Sequence, residues 1–346
     1  MKLKELSALL GLSQTTVSRA LNGYPEVSEA TRRKVSEAAA AYNYRPNTRA
    51  KSLATGKSLT IGHVLPVSTK HEMVNPVFAD FLAGAGETYT NQGYELLLSI
   101  VPDQEEEKVY RELASRGTVD GIIVHGPKRD DPRIALLRSL NMPFVVHGRA
   151  TDIEQCYPWL DVNNRRAFYR ATEFLIDLGH KRIALLNGLD TMDFAIRRRE
   201  GYSKAMADRG LPIDPAIIFH DEMTETYGYN SAKRLLNSAE PPTAFVVSSV
   251  IPSIGVRRAV EESGLRFGKD ISLVAYDDDL SYFRNNFDVP IFTAVRSSVR
   301  DAGRQAAQML IDVIRGTANA SHDILLEAEL TVGRSTSPAN STGSVR

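Results

Sequence analysis

The sequence holds a single cysteine, Cys156, in 346 residues, so no internal disulfide is available and a reducing compartment is expected. No run of residues approaches the roughly 20 apolar positions that a transmembrane helix needs. The N-terminus also lacks an apolar signal region, because Lys2, Lys4 and Glu5 interrupt it. These absences predict a cytoplasmic protein that does not enter a membrane.

Motifs of common enzyme classes are also missing. Residues 62–66 stand where a glycine-rich phosphate loop would follow the first predicted strand, and no GxSxG elbow occurs. The seven histidines show no metal-ligand spacing. The run 277–279 is three aspartates, which suggests a metal or phosphoryl site, or a strand-end loop in which one carboxylate binds a ligand hydroxyl. The loop is favoured, since nothing completes a metal shell. We expect no catalytic site, no metal and no cofactor.

The formal net charge is zero, which by itself argues against nucleic acid. The charges are unevenly distributed, however. Residues 1–58 contain ten Lys and Arg against four Glu, a net of +6, so the remainder carries −6. A basic head on an acidic body is typical of a DNA-binding module joined to another domain. A chance fluctuation of surface charge is the alternative.

The segment Leu3 to Asn22, LKELSALLGLSQTTVSRALN, predicts a helix-turn-helix. An apolar face of the first helix is formed at helical spacing by Leu3, Leu6, Leu9 and Leu10. Gly11 supplies the turn, and Ser13 is a good N-cap for the second helix. That second helix directs amides, hydroxyls and a guanidinium outward. On these residues alone, an ordinary helical hairpin is the competing interpretation.

A third helix is expected from Ser28, a capping residue, to about Tyr42, and it would close a three-helix unit. Pro46 ends it, since the residue before a proline disfavours helical angles. Residues 47–55 have a helical pattern of their own. That segment is too short to be stable alone, so it needs a partner to fold against.

From Leu59 onward, short apolar runs such as Thr60 to Leu65 alternate with helical stretches such as Pro76 to Asn91. This alternation predicts parallel sheets covered on both faces. The fold class is therefore an N-terminal all-α headpiece followed by an α/β core of two doubly wound parallel-sheet subdomains. Ligands of such folds bind at the carboxyl ends of the strands.

Several motifs together resemble the lactose-repressor/galactose-repressor family. TTVSRALNG, VSEATRRKV, YNYRPNTRAKSLATGKS and IGHVLP look like its headpiece and hinge. VDGIIVHG, LGHKRIALL, RRREGY, PPTAFVV and ISLVAYDD look like its ligand-binding core, which resembles a periplasmic sugar-binding protein. The resemblance covers nearly the whole chain except residues 69–74 and the last dozen. In closer detail the chain resembles the repressors that control α-glucoside uptake and breakdown in soil bacteria.

The resemblance implies a domain organisation. It places a headpiece at 1–45, a hinge helix at 46–58 and an effector-binding core at 59–333. Within the core, it gives 59–160 and 291–322 to an N-subdomain and 161–290 and 323–333 to a C-subdomain, which ends in a strand over 324–332. The tail 334–346 is small, polar and proline-containing, which predicts disorder. It contains no leucine, so a tetramerising heptad is absent.

The resemblance also implies DNA contacts. Gln can pair with adenine edges and Arg with guanine, so the second helix is expected to contact or flank bases through Gln14, Thr15, Thr16, Ser18, Arg19 and Asn22. Positions that hold phosphates in the family are Ser28, Thr31, Tyr44 and Asn47. The hinge contributes Ala50 and Leu53, and Leu53 matches the leucine that wedges into the minor groove of a pseudo-palindrome bound by a homodimer. Helix packing remains an alternative for Thr16 and Ser18, and core packing for Leu53.

For the effector, the resemblance implies a guanidinium and a carboxylate on adjacent sugar hydroxyls, supplied by Arg198 and Asp277. Further candidates at strand ends and in the first core helix are Asn75, Phe78, His125 and Asp161, with core packing as the alternative for Phe78. The family has Asn-Asp where this chain has Ser249-Val250, which indicates a different or larger saccharide.

The sequence thus predicts a sequence-specific DNA-binding regulator. It would repress a carbohydrate (α-glucoside) transport and utilisation operon and be released from double-stranded operator DNA by a small sugar. Two alternatives stay open, namely a corepressor-dependent regulator of the same fold and a cytoplasmic sugar-binding protein that does not bind DNA.

Overall fold

The structure is a computed structural model that describes residues 1–44, 57–66, 75–102, 105–285, 288–317 and 323–339. The chain divides into two compact units, Met1–Leu59 and Thr60–Arg346.

In the described part of the first unit, residues 1–44 and 57–59, three helices form: α1 (Leu3–Leu10), α2 (Gln14–Leu21) and α3 (Glu29–Ala41). Gly11 takes the left-handed conformation between α1 and α2, with φ of 64°. The predicted caps are confirmed, since the Ser13 side chain accepts from the Thr16 amide at 3.0 Å and the Ser28 side chain accepts from the Thr31 amide at 3.3 Å.

All three helices contribute to one small apolar core, whose buried members are Leu6, Val17, Ala20, Val27, Val35 and Ala39. The first helix differs from the expected leucine face in one position. Leu9 is 52% exposed, because the buried face of α1 passes through Leu6 and Ser7 instead.

The second unit alternates strands and helices, as predicted. Its strands are β1 (Thr60–Pro66), β2 (Glu95–Val101), β3 (Gly121–His125), β4 (Phe144–His147), β5 (Trp159–Val162), β6 (Ile183–Asn187), β7 (Ile218–His220), β8 (Ala244–Val247), β9 (Ser272–Asp277), β10 (Thr293–Arg296), β11 (Asp323–Leu326) and β12 (Glu329–Thr331). Its helices are α4 (Pro76–Gln92), α5 (Glu106–Arg116), α6 (Pro132–Ser139), α7 (Asn164–Asp177), α8 (Asp193–Asp208), α9 (Glu225–Leu236), α10 (Val250–Glu262) and α11 (Val299–Arg315).

The strands form two six-stranded sheets, ordered β11-β5-β4-β3-β1-β2 and β12-β10-β9-β8-β6-β7. Every pairing is parallel except that of β12 with β10. Strands such as β6 and β8 are buried along their whole length, as strands covered by helices on both faces must be. The two doubly wound subdomains are therefore confirmed.

The subdomain boundaries differ from the expected ones. Strand β10 pairs with β9 in the second sheet, although residues 291–322 were expected in the N-subdomain. Residues 324–332 do not form one strand. β11 pairs with β5 in the first sheet and β12 pairs with β10 in the second, because the chain crosses between subdomains at 327–328. Among the described elements, the N-subdomain thus holds β1–β5, α4–α6, α11 and β11, and the C-subdomain holds β6–β10, α7–α10 and β12.

Helices α4 and α11 pack closely across the N-subdomain. A Cβ on Gly84 of α4 would collide with the carbonyl group of Arg300, and one on Gly303 of α11 would collide with that of Phe81. The absence of side chains at these two positions therefore lets the two backbones approach.

The prediction of a disordered tail is wrong for residues 334–339, which the structure describes and which pack against the C-subdomain. Ser335 is fully buried; its hydroxyl donates to the Leu273 carbonyl at 2.6 Å and accepts from the Thr293 amide at 2.8 Å. The Ala339 amide donates to the Leu178 carbonyl at 2.8 Å. Small polar residues suit a narrow site between strands as well as a disordered tail, so composition alone was misleading. Residues 340–346 lie outside the described residues.

Candidate functional sites: a recognition helix and a ligand cleft

Helix α2 has one buried face and one polar face. Val17 and Ala20 point into the three-helix core. The opposite face exposes three of the predicted base-contacting side chains, which are Gln14, Thr15 and Arg19. An amide, a hydroxyl and a guanidinium on one solvent face of a short helix are the groups that hydrogen-bond to base edges in a major groove.

Other predicted DNA residues already have partners within the unit. The Thr16 hydroxyl lies 2.8 Å from that of Ser13, and the Thr31 hydroxyl lies 2.9 Å from that of Ser28. The exposed Asn22 side chain donates to the carbonyl of Ser18 at 2.8 Å.

These contacts favour a capping role for Thr16. Ser18 is half-buried, which leaves both helix packing and base contact open. Tyr44 packs against the apolar core, and burial raises its pKa. Asn47, Ala50 and Leu53 lie outside the described residues.

A cavity of about 210 Å³ lies between the two subdomains at the carboxyl ends of their strands. This central cavity is lined by the ends of β3, β4, β5 and β9, by the loop after β8 and by the first turns of α4 and α8. The position agrees with the rule that ligands of open parallel sheets bind outside the carboxyl ends of strands. Five expected effector residues line it: Asn75, Phe78, His125, Asp161 and Arg198.

Arg198 is the central cation of the cavity and is only 6% exposed. Its Nε donates to Asn164 Oδ1 at 2.8 Å and its Nη1 donates to the Ser248 carbonyl at 2.8 Å. Its guanidinium lies 4.0 Å from the ring centroid of Tyr276 and 4.8 Å from that of Phe194. Such packing holds the planar group in one orientation, ready for a bidentate hydrogen bond.

The expected carboxylate partner, Asp277, is not among the residues that line the central cavity, so its ligand contact stays a prediction. Its side chain accepts from the Asp279 amide at 2.8 Å and is 2% exposed. Asp278 lines the cavity instead. Side chains alternate along a strand, so Tyr276 and Asp278 share one side of the β9 end and Asp277 has the other. Burial raises the pKa of Asp278 to about 7, although Arg198 opposes the shift.

Ser249 also lies outside the central cavity. Its hydroxyl caps α10 by accepting from the Ile251 amide at 3.3 Å, and it lines an adjoining lobe of about 310 Å³. The preceding Ser248 lines the central cavity. The lobe also includes Leu189, Met192 and Asp221, and it shares the side chain of Phe194 with the central cavity.

Asp161 is the carboxylate that the N-subdomain contributes, and it is 5% exposed. It accepts from Arg149 Nε at 3.0 Å and from Asn164 Nδ2 at 3.2 Å. Burial raises its pKa, and Arg149 opposes the shift. Phe78 is half-buried on the cavity wall, with its ring edge-on to His125 at 5.0 Å, and Asn75 caps α4 at the mouth.

Several polar contacts connect the subdomains, among them two that involve buried aspartates. Asp80 of α4 accepts from the amide and hydroxyl of Ser281, at 2.7 and 2.6 Å. Asp193 of α8 accepts from the Thr151 hydroxyl at 2.5 Å, and Arg197 donates to the same hydroxyl at 2.9 Å. Both contacts cross between subdomains, so they hold the cleft in the arrangement seen here.

Sequence reasoning missed several cavity residues, which are His147, Arg149, Asn164, Phe194, Tyr276 and Asp278. Strand alternation could have found Asp278 and the β4 end could have suggested His147. No local signal marked the others. Within the described residues, no group of three or more His, Cys, Asp or Glu side chains could hold a metal ion, and no helix has the length and hydropathy needed to span a bilayer.

A helix-turn-helix unit and a two-subdomain unit with a ligand cleft define a ligand-responsive DNA-binding regulator. Residues 2–47 match the family model of bacterial regulatory proteins of the lacI family, and residues 172–336 match that of a periplasmic binding protein-like domain. The chain is 45% identical to the HTH-type transcriptional regulator AglR of Rhizobium meliloti (strain 1021), over 97% of this chain and 94% of AglR. It is 32% identical to the HTH-type transcriptional regulator RafR of Escherichia coli, over 94% and 95% of the two chains.

Solved structures agree. The lac repressor dimer bound to operator and the anti-inducer ONPF superposes with a TM-score of 0.85 at 26% identity, over 97% of this chain and 99% of that one. The transcriptional regulator CelR in complex with cellobiose gives 0.72 at 28% identity, over 97% and 99%. The chain belongs to the lacI family of bacterial regulatory proteins. It is a DNA-binding transcriptional regulator and not an enzyme.

Proposed function

We propose that this regulator represses a carbohydrate transport and utilisation operon and is released from its operator by an α-glucoside. The observation that carries the sugar assignment is the composition of the central cavity. Arg198 and Asp278 line it from the C-subdomain and Asp161 lines it from the N-subdomain, and the rings of Phe78 and Phe194 contribute to its wall. Hydroxyl groups of a sugar need such paired donors and acceptors, and apolar sugar faces pack on aromatic rings.

The size of the effector is inferred from the adjoining lobe. The central cavity and the lobe share Asn75, Val77, Gly126, Phe194 and Met223, so one ligand can extend through both. Two connected spaces suit two sugar rings. The α-glucoside class is supported by the sequence resemblance and by the 45% identity to AglR, and sucrose, maltose and trehalose are the disaccharides proposed.

Release follows from differential binding. A sugar held by Arg198 and Asp278 on one side and Asp161 on the other changes the relative orientation of the subdomains, and the hinge segments of the dimer then separate. DNA affinity would fall by a coupling free energy of typically about 1–3 kcal/mol, and operator DNA would weaken sugar binding equally. We place this activity in the cytoplasm, as the single cysteine favours.

The homodimer would form through two exposed apolar surfaces of the second unit. The edge strand β2 exposes Leu96, Leu98 and Ile100 at a spacing of two. A groove of about 650 Å³ next to α10 is lined by Ile254 and Tyr282, which are 38% and 85% exposed. Exposed apolar surfaces of this kind are typical of subunit interfaces.

The test combines a thermal-shift screen with gel-shift titrations in the presence of each disaccharide. A sugar that stabilises the protein by mass action and lowers operator affinity supports the proposal. Arg198→Ala should abolish the sugar response and keep operator binding, whereas Arg199→Ala, at the exposed neighbouring arginine, should behave as wild type.

Each alternative has a distinct outcome. A sugar that tightens operator binding identifies a corepressor. Sugar binding without operator binding identifies a plain sugar-binding protein. If none of the saccharides changes stability or operator affinity, the α-glucoside assignment is wrong.

A further inference from the structure

Three residues of the N-subdomain form a hydrogen-bonded row behind the central cavity. The Tyr89 hydroxyl of α4 lies 2.9 Å from Nε2 of His63 on β1, and Nδ1 of His63 lies 2.9 Å from Nε2 of His125 at the end of β3. Tyr89 is 1% exposed and His63 is fully buried, so the row lies inside the protein up to its last member. His125 lines the cavity.

Only one direction of hydrogen-bond donation along the row gives the buried Tyr89 hydroxyl an acceptor for its proton. His63 is the only hydrogen-bond partner that the Tyr89 hydroxyl has within the described part of the chain, and burial raises the pKa of this phenol, so it keeps its proton. If Tyr89 accepted from His63, a buried O–H would be left without an acceptor, which is costly. Tyr89 therefore donates to Nε2 of His63.

The donation by Tyr89 determines the tautomers of both histidines, because each imidazole carries one proton. Burial lowers the pKa of His63 to about 3 and that of His125 well below 6.5, so both rings are neutral at neutral pH. With Nε2 accepting, His63 carries its proton on Nδ1 and donates it to Nε2 of His125. His125 must then carry its own proton on Nδ1.

That last N–H is available to a ligand. Nδ1 of His125 has no hydrogen-bond partner among the described residues, and the His125 side chain lines the central cavity. The rings of Phe78 and Phe81 stand edge-on to the imidazole at 5.0 and 4.9 Å, which restricts its rotation.

We propose that Tyr89 and His63 are positioning residues that fix His125 as a hydrogen-bond donor toward the cleft. The effector is thereby selected for an acceptor oxygen at this point, such as a hydroxyl, ring or glycosidic oxygen of a neutral saccharide, and an ammonium group of an amino sugar is rejected there. The saccharide part rests on the proposed function, whereas the direction of the row does not.

The direction is tested on sugar-free, full-length protein labelled with ¹⁵N-histidine. Magic-angle-spinning NMR distinguishes protonated from unprotonated ring nitrogens, and His63→Asn and His125→Asn spectra assign the two residues by subtraction. Both are expected as neutral Nδ1–H tautomers. A His125 found as the Nε2–H tautomer or as imidazolium overturns the proposal.

Tyr89→Phe removes the hydroxyl that sets the direction, so His125 should become a mixture of both tautomers. Tyr110→Phe is the matched control, since it removes another fully buried hydroxyl of the N-subdomain, which donates to Glu106 outside the row. An unmixed Nδ1–H tautomer in Tyr89→Phe would show that Tyr89 does not set the direction.

The ligand part is tested by calorimetric titration with maltose. Tyr89→Phe should weaken maltose binding about twofold, because about half of an even tautomer mixture still carries His125 as the donor, and Tyr110→Phe should leave the affinity unchanged. Equal affinities of Tyr89→Phe and wild type contradict the selective role of His125. If wild type does not bind maltose, that result counts against maltose as the effector, and the sugar-free NMR measurement still decides the direction of the row.

Discussion

Replacing Asp278 with asparagine should make the core more stable, and increasingly so as pH rises. Burial raises the pKa of this carboxyl from 3.8 to about 7 in the folded protein. A shift of about three units corresponds to roughly 4 kcal/mol, at about 1.36 kcal/mol per unit. The folded state holds this proton to higher pH than the unfolded chain does, so stability is lost as pH rises from about 4 to about 7 and then stays level. Asparagine does not titrate and avoids this loss.

The measurement is urea unfolding of wild type and Asp278→Asn from about pH 5 to about pH 8. Fluorescence of Trp159 reports on the second unit, because this is the only tryptophan in the chain and lies on β5. The difference in the free energy of unfolding should grow in favour of the variant by roughly 2.5 kcal/mol over that interval. Asp130→Asn, at an exposed carboxylate, should show no comparable growth. A difference that stays constant, or that shrinks as pH rises, would refute a raised pKa at Asp278.

Three further predictions concern DNA and assembly. Arg19→Ala should reduce the free-energy preference for operator over random DNA by about 1–3 kcal/mol in gel-shift titrations, and Arg33→Ala, at an exposed arginine, should leave that preference unchanged. Equal preferences of Arg19→Ala and wild type would refute base contact. Leu53→Ser should weaken operator binding and reduce DNA bending, since a polar side chain is a poor wedge, and wild-type affinity would favour core packing for Leu53. Ile254→Asp should shift the protein from dimer to monomer in sedimentation, and an unchanged dimer would place the interface elsewhere.

The helix-turn-helix was predictable because its determinants are local. Ser13 and Ser28 each cap the helix that follows within three residues, and Gly11 supplies the only turn between α1 and α2. Alternating apolar strands and helices likewise indicated parallel sheets, since each run can be recognised without knowing its neighbours.

Membership of a sheet is a non-local property and was only partly predictable. The pattern of residues 323–332 is equally compatible with one strand and with two strands in different sheets. Only the pairing of β11 with β5 and of β12 with β10 distinguishes them. The same holds for Ser335, whose burial depends on Leu273 and Thr293, residues far from it in the sequence.

The residues of the candidate site likewise divide into those that a local sequence feature marks and those that it does not. Arg198 and Asp161 were found because a motif and a strand end mark them. Asp278 was not predicted because the family resemblance points to Asp277, the residue directly after Tyr276, although alternation along β9 points the Asp277 side chain away from the cavity. The row behind His125 was missed for a different reason. His63 and Tyr89 are 62 and 36 residues away from His125 in the sequence, and no spacing rule joins them.

The distribution of polar groups around the cavity explains how one ligand can act on both subdomains. Arg198 is held entirely by the C-subdomain, through Asn164 and the Ser248 carbonyl. Asp161 and His125 belong to strands of the N-subdomain. A sugar that hydrogen-bonds to Arg198 and Asp161 together joins the two subdomains, which the contact between Asp80 and Ser281 also connects. Its binding energy therefore depends on the angle between the subdomains, and this dependence is what allostery requires.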